Sequence, residues 1–385
     1  MKNIKRKILF VTERRADYSR LKPIMRLVQK SQKLKLQLLV TGMHLLRDFG
    51  KTKKVIESDG FKIDAVLPMF GKNDEDNGAS MIAGMGKVLI GMAKVVPALK
   101  PDLIFCGFDL GAHLAAAIAG AHLNIPVAHI QGGEVSGTVD EIIRHACTKF
   151  SHIHFAATDN SVARILKLGE DPKYVFNVGS PSLDTIRNIE YLPKEVICKK
   201  YGLDAKKRLA IFLQHPVTTE VNQVESQIRE SIGAIKLAVK KHNLEVLAIY
   251  SNNDAGGRRI VKLLKQSEIK VLPHVVYEDF LRLLKVADVL IGNSSTGIHE
   301  APSFSLPTVN IGTREQFRER GQNLVDVPNS KNEIFMAIEK ALSDNDFIKL
   351  VKAGKNPYDN GDTAKKVVEI LENIELPPVQ KIITY

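Results

Sequence analysis

The stretch HIQGGEVSGTVDEIIRHACTKFSHIHF, residues 129–155, gathers four histidines, three carboxylates and one arginine around a Gly-Gly bend. Two kinds of chemistry could use such a set. A metal site needs ligands that converge, and His152 and His154 share a strand face. That strand lies beyond a whole helix, and no HExxH or CxxC spacing supports a metal centre. Acid/base work needs carboxylates held in different environments beside one substrate. Glu134 in the loop and Asp140 at the start of the helix qualify. Asp109 joins them, ending the strand of CGFDLGAH (106–113). The plainer readings are an N-cap role for Asp109 and a structural ion pair between Asp140 and Arg144, which share a helix face at i,i+4.

A second group of residues suits an anion. GNSSTGIHE (292–300) follows an apolar strand and opens a helix that Asn293, Ser294 and Ser295 would cap. The exposed N–H groups and positive dipole end of such a helix can hold a phosphate. Glu300, further along, could reach a ribose hydroxyl pair. IGTREQFRERG (311–321) brings Arg314, which can pair bidentately with phosphate, and TERRADYSRLKP (12–23) brings Arg15. His215 of QHPVTTE (214–220) is placed to donate to a phosphate or a leaving group. Its plainer reading is a buried loop histidine, and for the serines it is an ordinary helix cap. A diphosphate held by Arg15, Ser294, Ser295 and Arg314 is chemically sensible. No GxxxxGK[ST] loop is present and no GxGxxG follows the first strand, which argues against an NTPase and a nicotinamide enzyme.

The elements that must position these groups form two series. KILFVT, LQLLVTG, FKIDAVLP, DLIFCGFD, PVAHIQG, HIHFAAT and YVFNVGS read as buried strands, with helix-length segments such as DYSRLKPIMRLVQKS and LGAHLAAAIAGAHL between them. After Ser180 the pattern restarts with RLAIFLQHP, LEVLAIYSNND, IKVLPHV, ADVLIGNSS and PTVNIG. The chain is therefore expected to be α/β, with two Rossmann-like αβα domains facing a cleft. The first spans 1–180 and the second 181–361, with a hinge near 178–186 and a C-terminal helix, about 362–385, returning to the first domain. Arg15, His44, Asp109, the 129–145 block, His215, Asn252, Ser294 and Arg314 all fall at or just after strand ends, from both halves. GKNDEDNGAS (71–80) reads as a mobile surface loop and candidate lid.

At 385 residues, 44% hydrophobic and 25% charged, the chain has the composition of a globular enzyme. The net charge of +12 is spread in short lysine clusters, without a basic tail, aromatic interleaving or any Trp, so nucleic acid is not the expected partner. The apolar run Ile8 to Thr12 is too short for a signal-peptide core, and no apolar run approaches the length of a membrane helix. Three widely spaced cysteines (Cys106, Cys147, Cys198) suit a reducing, cytoplasmic setting.

At these residues the chain resembles the hydrolysing UDP-N-acetylglucosamine 2-epimerases of sialic and legionaminic acid pathways. The motifs that carry the likeness are RADYSRLKPI, VTGMHL, GGEVSGTVDEIIRHACTKFSHIHF, QHPVTTE, NNDAGG, GNSSTGIHEAPSF and VNIGTR, in the expected order over nearly the whole chain. The resemblance implies a glycosyltransferase-B-like fold and C-2 inversion during loss of the nucleoside diphosphate through a glycal, without metal, nicotinamide or other cofactor. It implies acid/base roles among Asp109, Glu134 and Asp140, assistance by His215, and phosphate contacts from Arg15, Ser294, Ser295 and Arg314. Glu300 would hold the ribose, His44 and Arg144 would line the sugar pocket, and Asn252 and Asn253 would contact substrate. A homodimer or homotetramer is expected on the same ground. Two positions depart from relatives: Leu110 stands where many carry arginine, and Gln131 where some carry a carboxylate or histidine. Leu110 favours a less polar sugar, such as a 2,4-diacetamido-2,4,6-trideoxy hexose. A glycosyltransferase of the same fold would need an acceptor groove and not three carboxylates. A non-catalytic nucleotide-sugar sensor could do without them.

Overall fold

The computed structural model describes residues 5–71 and 74–384. Seven strands form the first sheet: β1 (Arg6–Thr12), β2 (Leu34–Thr41), β3 (Ala65–Leu67), β4 (Leu103–Gly107), β5 (Val127–Ile130), β6 (Ile153–Ala156) and β7 (Val175–Asn177). Six form the second: β8 (Arg208–Leu213), β9 (Leu244–Ile249), β10 (Lys270–Leu272), β11 (Val289–Gly292), β12 (Thr308–Ile311) and β13 (Leu324–Val327). All pairings are parallel, in the orders β3-β2-β1-β4-β5-β6-β7 and β10-β9-β8-β11-β12-β13. The order reverses between β1 and β4 and again between β8 and β11. In open α/β sheets such reversals leave a crevice beyond the strand C-termini. The loops leaving these four strands carry Arg14 and Arg15, Asp109, His215 and Ser294.

The strands are apolar because both faces are covered. On one face of the first sheet Phe10, Phe105, Phe155 and Phe176 stack in sequence, with ring centroids 4.6, 5.9 and 6.0 Å apart. Helix Thr363–Asn373 closes that face. Its Val367, Val368 and Leu371 join the same core, and Arg6 donates to the carbonyls of Leu371 and Ile374. The helix ends at Asn373, short of the expected 385. The residues beyond it to 384 are non-helical, and Lys381 ties this segment to Glu170 and to the carbonyls of Lys149 and Ser151.

Other elements also differ from expectation. β13 was not anticipated. It is an edge strand whose sequence, LVDV, carries a charge and shows only a weak apolar pattern. The 71–80 loop is shorter than expected, because helix Gly78–Leu99 begins inside it; Lys72 and Asn73 lie outside the described residues. That helix is 22 residues long and apolar enough by length and composition to cross a membrane, contrary to the reading of the sequence. Glycines, alanines and lysines interrupt its apolar residues and hide the pattern. It lies against helix Gly111–His122 and leaves Ile82 and Ile90 each 69% exposed.

Candidate active site

The turns that leave β4 and β5 are strained in the same way. Phe108 (φ +65°) and Gln131 (φ +57°) adopt left-handed backbone conformations that side chains with a Cβ rarely accept. Each continues the sheet by one hydrogen bond, Phe108 N–H to Ile130 O (2.9 Å) and Gln131 N–H to Phe155 O (2.8 Å). The chain then bends sharply, and Asp109 and Glu134 both line the cleft. His129 buttresses the pair of turns by donating from Nε2 to Phe108 O at 3.0 Å. Burial lowers its pKa to about 3, so it is neutral. His152 Nδ1 accepts from Val127 N–H, and His154 Nε2 meets Glu170 at 3.0 Å. The histidines of the opening stretch that lie on β5 and around β6 are therefore structural.

The turn after β1 is set by buried acids. Asp17 accepts from the N–H groups of Glu13 (2.8 Å) and Arg14 (2.7 Å), and His113 donates to it from Nε2 at 2.9 Å. This fixes the start of helix Arg15–Lys30 and sends three arginines across the cleft. Arg14 pairs with Asp254 at 3.0 Å. Arg15 donates to Pro273 O at 2.7 Å. Arg20 reaches Ser295, His299 and Glu300. His44 lies in the same wall, but it is fully buried and both ring nitrogens are used, by Thr12 (2.9 Å) and Thr52 (2.7 Å). It shapes the wall and has no free nitrogen for a sugar.

The cavity between the domains measures ≈ 370 Å³ and is lined by Arg15, His44, Asp109, Glu134, Asp140, Arg144, His215, Asn252, Ser294, Ser295, Glu300 and Arg314. Asn253 is not among the lining residues; it faces a separate small cavity beside Asp74–Asn77. There the Asp76 carboxylate accepts from the N–H groups of Gly256 (3.0 Å) and Arg258 (3.1 Å), tying the acidic loop to the second domain. Asn293 does not cap the short helix Thr296–His299. Its amide instead brackets His215, accepting from His215 N–H (2.6 Å) and donating to His215 O (2.9 Å). The neighbouring Gly292 has φ +129°, and a Cβ there would lie 2.1 Å from Leu213 O, so only glycine lets β11 pass β8 this closely.

The three carboxylates differ sharply. Asp109 Oδ2 pairs with Arg144 and lies 3.8 Å from Arg318, while no hydrogen bond to Oδ1 is found among the described residues. Burial opposes its charge, but Arg144, Arg318 and Arg314 hold its pKa below the usual range. Glu134 Oε1 accepts from Gln131 (2.8 Å), and Oε2 accepts from Arg318 (2.7 Å) and meets His299 Nε2 (3.0 Å). It is held strongly anionic against burial, by His299 first and then Arg318. Asp140 is pushed up to about 6 by burial and by the negative charge of Asp109, with Arg314 at 3.5 Å opposing. The Asp140–Arg144 ion pair of the plainer reading does not form, because Arg144 turns to Asp109 and the Glu134 carbonyl. Asp109 does not cap the helix after it, whose N-cap is Leu110.

On the opposite wall, Asn252 N–H donates to His215 Nδ1 at 3.1 Å, so the His215 proton sits on Nε2. Burial and the charges of Arg314, Arg14 and Arg15 hold this ring neutral. Glu300 Oε2 and the Tyr277 hydroxyl are buried without partners among the described residues, and both residues line the cleft. An unpaired acceptor there suits a hydroxyl-bearing ligand. Arg14, Arg20, His299 and Arg318 were not singled out from the sequence. Arg14 and Arg20 stand in RRADYSR with Arg15, and Arg318 stands four residues after Arg314 in the same turn, which was the available signal.

The domains touch closely at Gly137, whose N–H donates to Arg314 O at 3.0 Å and where a Cβ would lie 1.9 Å from Thr313 O. Gly137→Ala should push the domains apart while leaving each core intact. We expect kcat/KM to fall at least about tenfold with the melting transition little changed, read by kinetics and calorimetry.

Two parallel-sheet α/β domains close on a cleft to which both contribute arginines and carboxylates and the second adds Ser294, Ser295 and His215, and this is a glycosyltransferase-B-like architecture. The solved UDP-GlcNAc 2-epimerase from Neisseria meningitidis bound to UDP-GlcNAc superposes with a TM-score of 0.80, covering 95% of this chain and 99% of that one at 18% identity. Residues 26–372 match the UDP-N-acetylglucosamine 2-epimerase family profile, and the chain belongs to that family. It is 37% identical over 375 residues to the UDP-N,N'-diacetylbacillosamine 2-epimerase (hydrolyzing) of Legionella pneumophila, covering 96% of this chain and 97% of the relative. It is 32% identical over 376 residues to a UDP-N-acetylglucosamine 2-epimerase of Neisseria meningitidis, with 96% of each covered.

Proposed function

We propose that the protein is a hydrolysing 2-epimerase. It would convert UDP-N-acetylglucosamine or UDP-2,4-diacetamido-2,4,6-trideoxyglucose to UDP and the free manno-configured sugar. The observation that carries this reading is the divided carboxylate pair. Asp109 is ionised with one oxygen free, and Asp140 beside it is raised to about 6. Asp109 takes the proton from C-2 as the C-1–oxygen bond breaks, and that electron pair leaves with the diphosphate. His215 Nε2–H, with Ser294, Ser295, Arg15 and Arg314, stabilises the leaving charge. Water then adds its oxygen to C-1 of the glycal, and C-2 takes the proton of Asp140. The water's own proton restores Asp140, and Asp109 releases the proton taken from C-2 to solvent as UDP departs, which returns both carboxylates to their starting states. Glu300, with its free oxygen, holds the ribose. Phe108 and Leu110, buried on the Asp109 turn, favour the trideoxy diacetamido sugar. No cofactor enters these steps.

We expect a cytoplasmic homodimer or homotetramer. The exposed Ile82 and Ile90 offer apolar surface that a second copy would cover, which sedimentation velocity would test. The function is tested by proton NMR of the protein in deuterated water with each UDP-sugar. Free UDP and a manno sugar deuterated at C-2 are the expected products. A deuterium-free product, or transfer only to an added acceptor sugar, would overturn the reading.

A further inference from the structure

The acidic and phosphate-holding sides of the cleft are joined through Arg20 and His299, two side chains that no step above uses. Arg20, on the first domain, donates from Nη2 to His299 Nδ1 at 3.1 Å and lies 3.3 Å from Ser295 Oγ and 3.4 Å from Glu300 Oε1. An arginine is always the donor, so Nδ1 must present its lone pair and the ring proton must sit on Nε2. That nitrogen faces Glu134 Oε2 at 3.0 Å. Arg318 Nη1 also lies 3.3 Å from Nε2, but the closer carboxylate oxygen can only accept, so the Arg20 and Glu134 contacts together place the ring proton on Nε2, donating to Glu134. The ring is 1% exposed and is braced edge-on by Tyr358 at 4.4 Å, so it cannot turn freely. His299 and Arg318 belong to the second domain and Glu134 to the first. Opening the cleft would remove two of the three side-chain donors that hold this carboxylate and leave only Gln131.

We propose that Arg20 and His299 are positioning residues that tie Glu134 to the phosphate-holding segment 292–300. In this arrangement the sugar-side anion is aligned only when the two domains close on the nucleotide. The inference rests on the epimerase reading for its kinetic consequences, but not for its geometry. The groups facing Glu134 are Gln131, His299, Arg318, Arg144, Arg20 and Tyr358. Among the described residues, His299 alone is hydrogen-bonded to both Arg20 and Glu134. Losing its hydrogen bond lets the Glu134 pKa rise toward the ordinary range. An activity that needs the anion is then lost at a higher pH on the acid side.

Two measurements test this on the intact protein. The first is 15N NMR of the histidine rings, with His299→Gln assigning the resonance. The expected wild-type signal has Nδ1 bare and Nε2 protonated, and Arg20→Gln should weaken that preference. A proton on Nδ1 of the wild-type ring would overturn the proposal whatever the protein catalyses. The second is steady-state kinetics with both UDP-sugars. His299→Leu should lower kcat by about 10- to 100-fold, with UDP affinity kept and the acid limb of kcat/KM moved upward. His299→Gln, which keeps a donor at the place of Nε2, should recover most of the loss. Equal activity in His299→Leu and wild type, or equal loss of UDP binding in both variants, would overturn it. If wild type releases no UDP from either sugar, the epimerase reading fails, and the ring tautomer still decides the relay.

Discussion

Replacing Asp109 by Asn should lower turnover by about 10²- to 10⁴-fold and leave UDP binding nearly unchanged, because the change removes a base without removing a phosphate contact. The argument is geometric. Of the three carboxylates, Glu134 has both oxygens engaged by Gln131, His299 and Arg318, and Asp140 is pushed toward holding its proton. Asp109 alone combines a stable negative charge with an oxygen that has no bonded partner among the described residues. Asn keeps the shape and can still accept from Arg144 through its carbonyl, so the Phe108 turn should survive. Calorimetric titration with UDP and a single-turnover assay in deuterated water separate the outcomes. Retained turnover in Asp109→Asn would move the base elsewhere. Lost UDP affinity would mean that Asp109 supports the fold of the cleft and does not act on the sugar.

This division of roles was only partly legible in the sequence. The strand ends were readable, since short apolar runs followed by polar turns place Asp109, Glu134, His215 and Ser294 at the mouth of a crevice on any doubly wound reading. What could not be read is which partner each charge takes. Asp140 and Arg144 sit at helical spacing and invite an ion pair. Arg144 instead turns to Asp109, 35 residues away, and Asp140 meets Arg314, 174 residues away. Local spacing loses to these distant groups because the cleft is buried, and a buried charge needs whichever counter-charge shares its space. Arg14, Arg20 and Arg318 escaped notice for the same reason, since their partners lie on the opposite domain. Asn253 erred the other way. It adjoins Asn252 in NNDAGG, but only Asn252 faces the cleft.

The second large effect is on pH. Asp140 stands at about 6 because burial penalises its charge and Asp109 repels it, while Arg314 only partly offsets both. A group that must deliver a proton is active in its protonated form, so the rate it supports is full below its pKa and falls as pH rises through it. We therefore expect kcat/KM, which reports the free enzyme, to fall tenfold per unit above pH 6. The loss should reach about 50-fold between pH 6 and 8, because half of the group is already ionised at pH 6. The limb in kcat should lie at higher pH than the limb in kcat/KM, since the negative diphosphate in the occupied cleft disfavours a second anion at Asp140. Asp140→Asn has no proton to give, so its residual activity should be low and free of this alkaline limb. An increase in kcat/KM from pH 6 to 8 would reverse the assignment. Asp140 would then be the base, and the proton for C-2 would have to come from Asp109, whose arginine neighbours strip it of one. That conflict is what makes the profile decisive between the two carboxylates.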